Sequence, residues 1–153
     1  MAGPRVMIVE ARYYAHISDL LLKGALAALA EAGASHERVQ VPGAFEIPAA
    51  IRFAVEAERQ GRADARFDGY LALGCVIRGE TTHYDYVCGE SARGLQDLAI
   101  AHNLAIGFGI LTVENEAQAL ARAATERKNK GGEAARACLA MIALKRRFGL
   151  GRE

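Results

Sequence analysis

Apolar positions along the chain keep two alternating rhythms, and each change of rhythm marks an element. Arg5 to Val9 is a short β-rich run, whereas Ile17, Leu20, Leu21, Gly24, Ala25, Ala28, Leu29 and Ala32 recur at helical spacing and stop at Gly33. Glu37 to Val41 reads as a second strand closed by Pro42 and Gly43. Ile51, Ala54 and Val55 carry helical spacing over residues 48 to 60, up to Gly61. A third strand at about 69 to 76 leads into a helix from about Tyr84 to Asn103. A fourth, Ala105 to Leu111, leads through TVENEAQ into a helix near 115 to 126. Lys128 to Gly132 interrupts the pattern, and a last helix covers about Glu133 to Phe148.

Four strands, each read as continuous and apolar and each followed by a helix, predict a parallel sheet covered on both faces by right-handed crossovers. The expected fold is a three-layer α/β/α sandwich around a central four-stranded parallel sheet, flavodoxin-like in appearance. At 153 residues and 52% hydrophobic, with no internal repeat and no dividing linker, residues 1–153 form a single domain with an ample core. Nineteen basic against eighteen acidic side chains leave no global charge to attract nucleic acid or a membrane surface. Small molecules and copies of itself are the expected partners. Cys75, Cys88 and Cys138 form no CxxC pair and lie in apolar periodic segments, which suits reduced thiols in a cytoplasm. MAGPRVMIVEARYY lacks the apolar stretch of a signal peptide, and no segment approaches the roughly 18 apolar residues of a membrane span. A soluble, unprocessed, cytoplasmic protein is expected.

The densest chemistry lies in residues 68 to 94, DGYLALGCVIRGETTHYDYVCGESARG. A buried strand there ends in a glycine-bracketed turn and delivers Arg78, Glu80, Thr81, Thr82 and His83 to the mouth of a helix. Open α/β sheets bind ligands beyond the carboxyl ends of their strands, and a helix N-terminus there favours an anion. His83, one turn into the helix by this reading, adds a group suited to proton transfer at neutral pH. GCVIRGET has the glycine spacing of the nucleotide-binding GxxxxGK(S/T) loop, but Glu80 occupies the lysine position, which argues against a nucleotide triphosphatase. VPGAFEIP, residues 41 to 48, is a strand end, a sharp turn and a helix start. Its Ala44, Phe45 and Glu46 either serve packing and capping or offer backbone N–H groups to a planar ligand. Tyr13, at the same rim, is a packing ring or a stacking platform. Phe108 reads as core, and Arg122 as a solvated helix residue. His16, His36 and His102 show no metal-ligand spacing, so no metal is expected.

VPGAFEIP, GCVIRGETTHYDYV, GFGILTVEN and KNKGGEAA occur in the order and spacing of the lumazine synthase family, and the resemblance runs from about Arg5 to Phe148. It implies a cofactor-independent transferase of riboflavin biosynthesis. Such enzymes condense 5-amino-6-(D-ribitylamino)uracil with 3,4-dihydroxy-2-butanone 4-phosphate to 6,7-dimethyl-8-ribityllumazine, releasing phosphate and water. By that resemblance His83 is the proton carrier, and Tyr13, Ala44, Phe45, Glu46, Cys75, Val76, Ile77 and Phe108 surround the pyrimidine. Glu80, Thr81 and Arg122 would meet the phosphate, and Lys130 and Glu133 match positions nearby. Phe108 and Arg122 would come from an adjacent subunit, because the family builds homopentamers with sites between subunits, some assembled into hollow icosahedral shells.

Departures from the family pattern are specific. Tyr13 stands where Phe or Trp is common, Tyr14 replaces an Asn, Glu80 replaces a small residue, and the bend reads KNKGG where GNKG is commoner. No insertion in that bend opposes a cage, so pentamers that build one are expected. The alternative from the same resemblance is a catalytically weak paralogue that binds lumazine or flavin, or forms a shell.

Overall fold

The computed structural model describes residues 3–151. Its strands are β1 (Arg5–Ala11), β2 (Ser35–Val41), β3 (Gly69–Ile77) and β4 (Ile106–Val113); its helices are α1 (Ala15–Glu31), α2 (Ile47–Arg59), α3 (His83–His102), α4 (Glu116–Ala123) and α5 (Lys130–Arg147). Single 3-10 turns occupy Ala44–Glu46 and Ala63–Ala65. The strands form one parallel sheet in the order β2-β1-β3-β4.

Alternation along the central strands sorts side chains into two cores. Val6 and Ile8 of β1 join Leu71, Leu73 and Cys75 of β3 against α1, α4 and α5. Met7, Val9 and Ala11 join Tyr70 and Ala72 on the opposite face, against α2 and α3. Strands buried on both faces read as continuous apolar runs, and these two do. Ile8, Ile17, Leu21, Leu71, Ile47 and Ile51 are fully buried, each stabilising the fold by roughly 1.5–3 kcal/mol. The layered α/β/α architecture inferred from periodicity is the one observed.

β2 departs from its expected apolar character. It is SHERVQV, largely exposed along its length, because it is an edge strand that the helices do not cover. Arg38 of β2 donates to Glu10 at 2.8 Å, and Arg12 donates to the other oxygen of the same carboxylate at 2.7 Å. Glu10 is 1% exposed on β1, so the two guanidiniums supply the charge and hydrogen bonds that let a carboxylate lie inside. Arg12 also pairs with Asp19 of α1, which ties the start of that helix to the end of β1.

The segment Lys128 to Gly132, read as a break, is a helix start. Asn129 adopts a left-handed conformation at φ 46°, and its side chain accepts from the Gly132 N–H at 3.3 Å, opening α5 at Lys130. Two consecutive glycines disguise this turn, and the close approach of neighbouring backbone requires the first of them to be small. A Cβ on Gly131 would collide with the backbone carbonyl of Leu21 in α1, and one on Gly107 with that of Ala134 in α5. Helix α5 thus lies backbone-close to α1 and β4, which fixes the first turn of α5 beside the edge of the sheet. Gly131→Ala is therefore expected to cost about 1–3 kcal/mol, as overpacking does, measured as a lowered urea midpoint with unchanged m-value.

Candidate active site

The strand order reverses direction between β1 and β3: from β1 the chain goes outward to β2, then returns to β3 and continues to β4. That switch point leaves a crevice at the carboxyl ends of β1 and β3. A cavity of about 600 Å³ opens there, lined by Tyr13, Tyr14, the 42–46 segment, Cys75, Val76, His83, Tyr86 and Val87. Most of the wall comes from residues at the end of a strand or just after one, and the rest from the start of α3. Tyr13 and Tyr14 follow β1, Pro42 to Glu46 follow β2, and Cys75 and Val76 end β3. His83, exposed, is the first residue of α3 rather than one turn inside it.

Aromatic surface dominates the mouth. Tyr13, Phe45 and Tyr86 are 77%, 56% and 68% exposed, more than packing rings require. Tyr13 meets Tyr14 edge-on with ring centroids 4.9 Å apart. Deeper in, burial raises the Tyr14 hydroxyl above its ordinary pKa, and burial first, then the neighbouring Cys88 thiol, pushes Cys75 up to about 11. At neutral pH Cys75 is a neutral thiol, which suits a lining group and not a nucleophile. Cys138, in the core, is pushed up to about 12 by burial.

Glu80 and Thr81 lie on the exposed loop between β3 and α3, outside the cavity lining, with the Thr81 hydroxyl accepting from the His83 N–H at 3.4 Å. Ile77 also lies outside it, its side chain turned to the core shared by α1, α4 and α5. Phe108 is not core: it is 49% exposed, because β4 is an edge strand whose alternation turns Gly107 and Gly109 towards α5 and Phe108 away. It stands between two cavities of about 460 Å³, one lined by Arg122, Lys130 and Glu133, the other by Ile100, Leu104 and Met141. Arg122 donates to the Gln118 carbonyl at 3.1 Å and has no ion-pair partner among the described residues. Lys130 and Glu133 pair with each other at 3.0 Å. The candidate residues therefore fall into two sets, and neither cavity that Phe108 borders shares a lining residue with the His83 cavity.

Tyr86 and Val87 are the cavity residues that motif reading passed over. Their signal was helical: Tyr86 is three residues after His83, and Val87 four, on the same helical face. Among the described residues no group of three or more His, Cys, Asp or Glu side chains is arranged to hold a metal ion, and no helix is long and apolar enough to cross a membrane.

The sequence model described as 6,7-dimethyl-8-ribityllumazine synthase matches residues 3–146. The chain belongs to the 6,7-dimethyl-8-ribityllumazine synthase family. It is 55% identical over 146 residues to a protein of that name from Paramagnetospirillum magneticum, covering 95% of this chain and 97% of the relative. Relatives of the same name from Bartonella tribocorum and Sphingopyxis alaskensis are each 59% identical over 146 residues, covering 95% of this chain and 93% and 98% of theirs. In this lumazine synthase family member the resemblance carried by the four motifs is thus matched over residues 3–146.

The raised thiols make a pH prediction. Folding holds Cys75 and Cys138 neutral past the ordinary value of 9.0, so their stabilising effect is complete below pH 9 and is lost as pH rises through 11 and 12. Urea midpoints are expected to fall above pH 9, and to fall less steeply with pH in Cys138→Ala, whatever its midpoint at pH 7.

Proposed function

We propose that the protein is a 6,7-dimethyl-8-ribityllumazine synthase that joins 5-amino-6-(D-ribitylamino)uracil to 3,4-dihydroxy-2-butanone 4-phosphate. The observation that carries this reading is the 600 Å³ cavity at the switch point, which sets an exposed histidine among aromatic rings in a member of that family. Tyr13 and Phe45 offer faces on which the pyrimidine stacks, and the 44–46 backbone faces its polar edge. His83 carries protons as the amine adds to the ketone, the resulting carbinolamine loses water to form an imine, phosphate is eliminated, and the second nitrogen closes the ring with loss of a second water. Each step needs placement and proton transfer from this chain's own residues. The loop of Glu80 and Thr81 and the guanidinium of Arg122, which has no ion-pair partner among the described residues, receive the phosphate.

The site is read as complete only between subunits. Within one chain Phe108 and Arg122 border different cavities from His83, and both lie at the open β4 edge. Beside that edge Ile100, Phe108 and Met141 are 70%, 49% and 44% exposed, an apolar strip that a second copy would cover. A homopentamer, with pentamers building a hollow cage, is the assembly we propose. Three free thiols, two of them buried, accord with a cytoplasmic location.

A spectroscopic assay with both substrates, corrected for their spontaneous condensation, tests the reaction. Lumazine formation is expected to drop at least tenfold in His83→Ala and in Arg122→Ala. Tight lumazine binding without turnover by the wild-type protein would instead mark a binding or shell role. Mixing the two inactive variants, unfolded and refolded together, is expected to restore about one quarter of wild-type activity, because a site that draws His83 and Arg122 from different chains is intact in that share of random pairings. No recovery in correctly sized assemblies would place both residues in one subunit's site.

A further inference from the structure

We propose that Arg78 is a positioning residue that fastens the His83-bearing loop to the connection leading to Arg122; its role in turnover rests on the lumazine synthase reading. Arg78 is the first residue after β3, and its backbone N–H donates to the Val113 carbonyl at 2.9 Å, carrying the β3–β4 ladder one step further. Its guanidinium reaches three groups. Nε donates to Glu114 Oε2 at 2.7 Å, Nη1 to Asp85 Oδ1 at 3.4 Å, and Cζ lies 4.3 Å from the centre of the Tyr84 ring. Tyr84 and Asp85 are the residues directly after His83. Glu114 begins the β4–α4 connection, where its own N–H donates to Gln118 Oε1 at 2.8 Å, and the Gln118 carbonyl accepts from Arg122. Contacts run without a gap from the first turn of α3, through Arg78, to Arg122.

The loop between these anchors has little else to hold it. Among the described residues, only Thr81 of the side chains from Glu80 to Thr82 makes a hydrogen bond, accepting from the His83 amide, and a Cβ on Gly79 would meet nothing within 4 Å. Isolated exposed ion pairs contribute little stability, so the value of this one lies in geometry. A planar fork held by two carboxylates and laid over a ring has one orientation, which a lysine's flexible point charge cannot reproduce. Arg78 does not line the His83 cavity, and its charge is already met by Glu114 and Asp85. It therefore acts through the loop rather than on substrate. In the proposed ring, where His83 of one chain serves with Arg122 of another, each Arg78 aligns contributions to two different sites.

Four variants test this: Arg78→Gln, Arg78→Lys, Glu114→Gln and the double Arg78→Gln/Glu114→Gln. In the assembled protein, kcat/KM for the phosphate-bearing ketone is expected to fall about 10- to 100-fold in both Arg78 variants and in Glu114→Gln, the scale of a small misplacement of catalytic groups. The double variant should be no worse than Arg78→Gln, because both break one link. KM for the pyrimidine should stay within about twofold, since Tyr13 and the 44–46 segment belong to other loops. Amide exchange over residues 79–87 should quicken in every variant. Wild-type kinetics in Arg78→Lys, or lost ketone affinity in Arg78→Gln with Glu114→Gln unaffected, would overturn the proposal, the latter by making Arg78 a direct phosphate ligand. Hydrogen exchange needs no turnover. If wild-type protein makes no lumazine, unchanged exchange in the variants still overturns the fastening and faster exchange upholds it, so the two readings fail separately.

Discussion

Parallel pairing of β1 with β3, in register from Val6 with Gly69 to Glu10 with Leu73, is the constraint on which the rest depends. Parallel neighbours cannot be joined at adjacent ends, so every connection crosses a face of the sheet and every strand exits at the same rim. Four unrelated stretches of sequence therefore meet at one place: the tyrosines after β1, the Pro42–Glu46 turn after β2, the His83 loop after β3 and the Glu114 connection after β4. The reversal of strand order between β1 and β3 keeps the crossovers from closing over that rim, and the 600 Å³ cavity is the space left. Buried charge serves the same geometry, since Glu10 and its two arginines tie β1, β2 and the start of α1 together immediately below Tyr13.

The edges of the sheet carry a different meaning. β2 blunts its edge with charge and polar side chains, as natural edge strands do. β4 presents glycine to α5 and Phe108 outward, so its edge is apolar and bordered by cavities. Backbone-close packing of α5, possible only because Gly107 and Gly131 lack side chains, brings Lys130 and Glu133 to that edge, where they share a cavity with Arg122 of α4. One set of the candidate residues thus collects at the strand rim and the other at the strand edge. That separation is what makes an oligomeric site the economical reading.

Much of this was legible in the residues. The two periodicities located nine elements within a few positions of where they lie, because strands buried on both faces and amphipathic helices leave strong patterns. GCVIRGETTHYDYV and VPGAFEIP pointed to the rim, because turns at strand ends need glycine and proline and so punctuate the chain. Phe108 and the Lys128–Gly132 segment were misread from periodicity for physical reasons. An apolar residue in a strand looks like core unless it is known which strand lacks a neighbour, and a helix opened by Asn129 with two glycines has the composition of a turn.

By itself the sequence determined the element order, the layered α/β class, the family and the short list of groups able to do chemistry, since each of these follows from local pattern and residue type. Tertiary structure alone decided which strands lie at the edges, that the Tyr13 and Pro42–Glu46 segments share a cavity with His83, that Arg78 joins α3 to the β4–α4 connection, and that Arg122 does not border that cavity. Those facts depend on which distant segments the parallel pairing brings within a few ångströms, and no local signal in the chain encodes that distance.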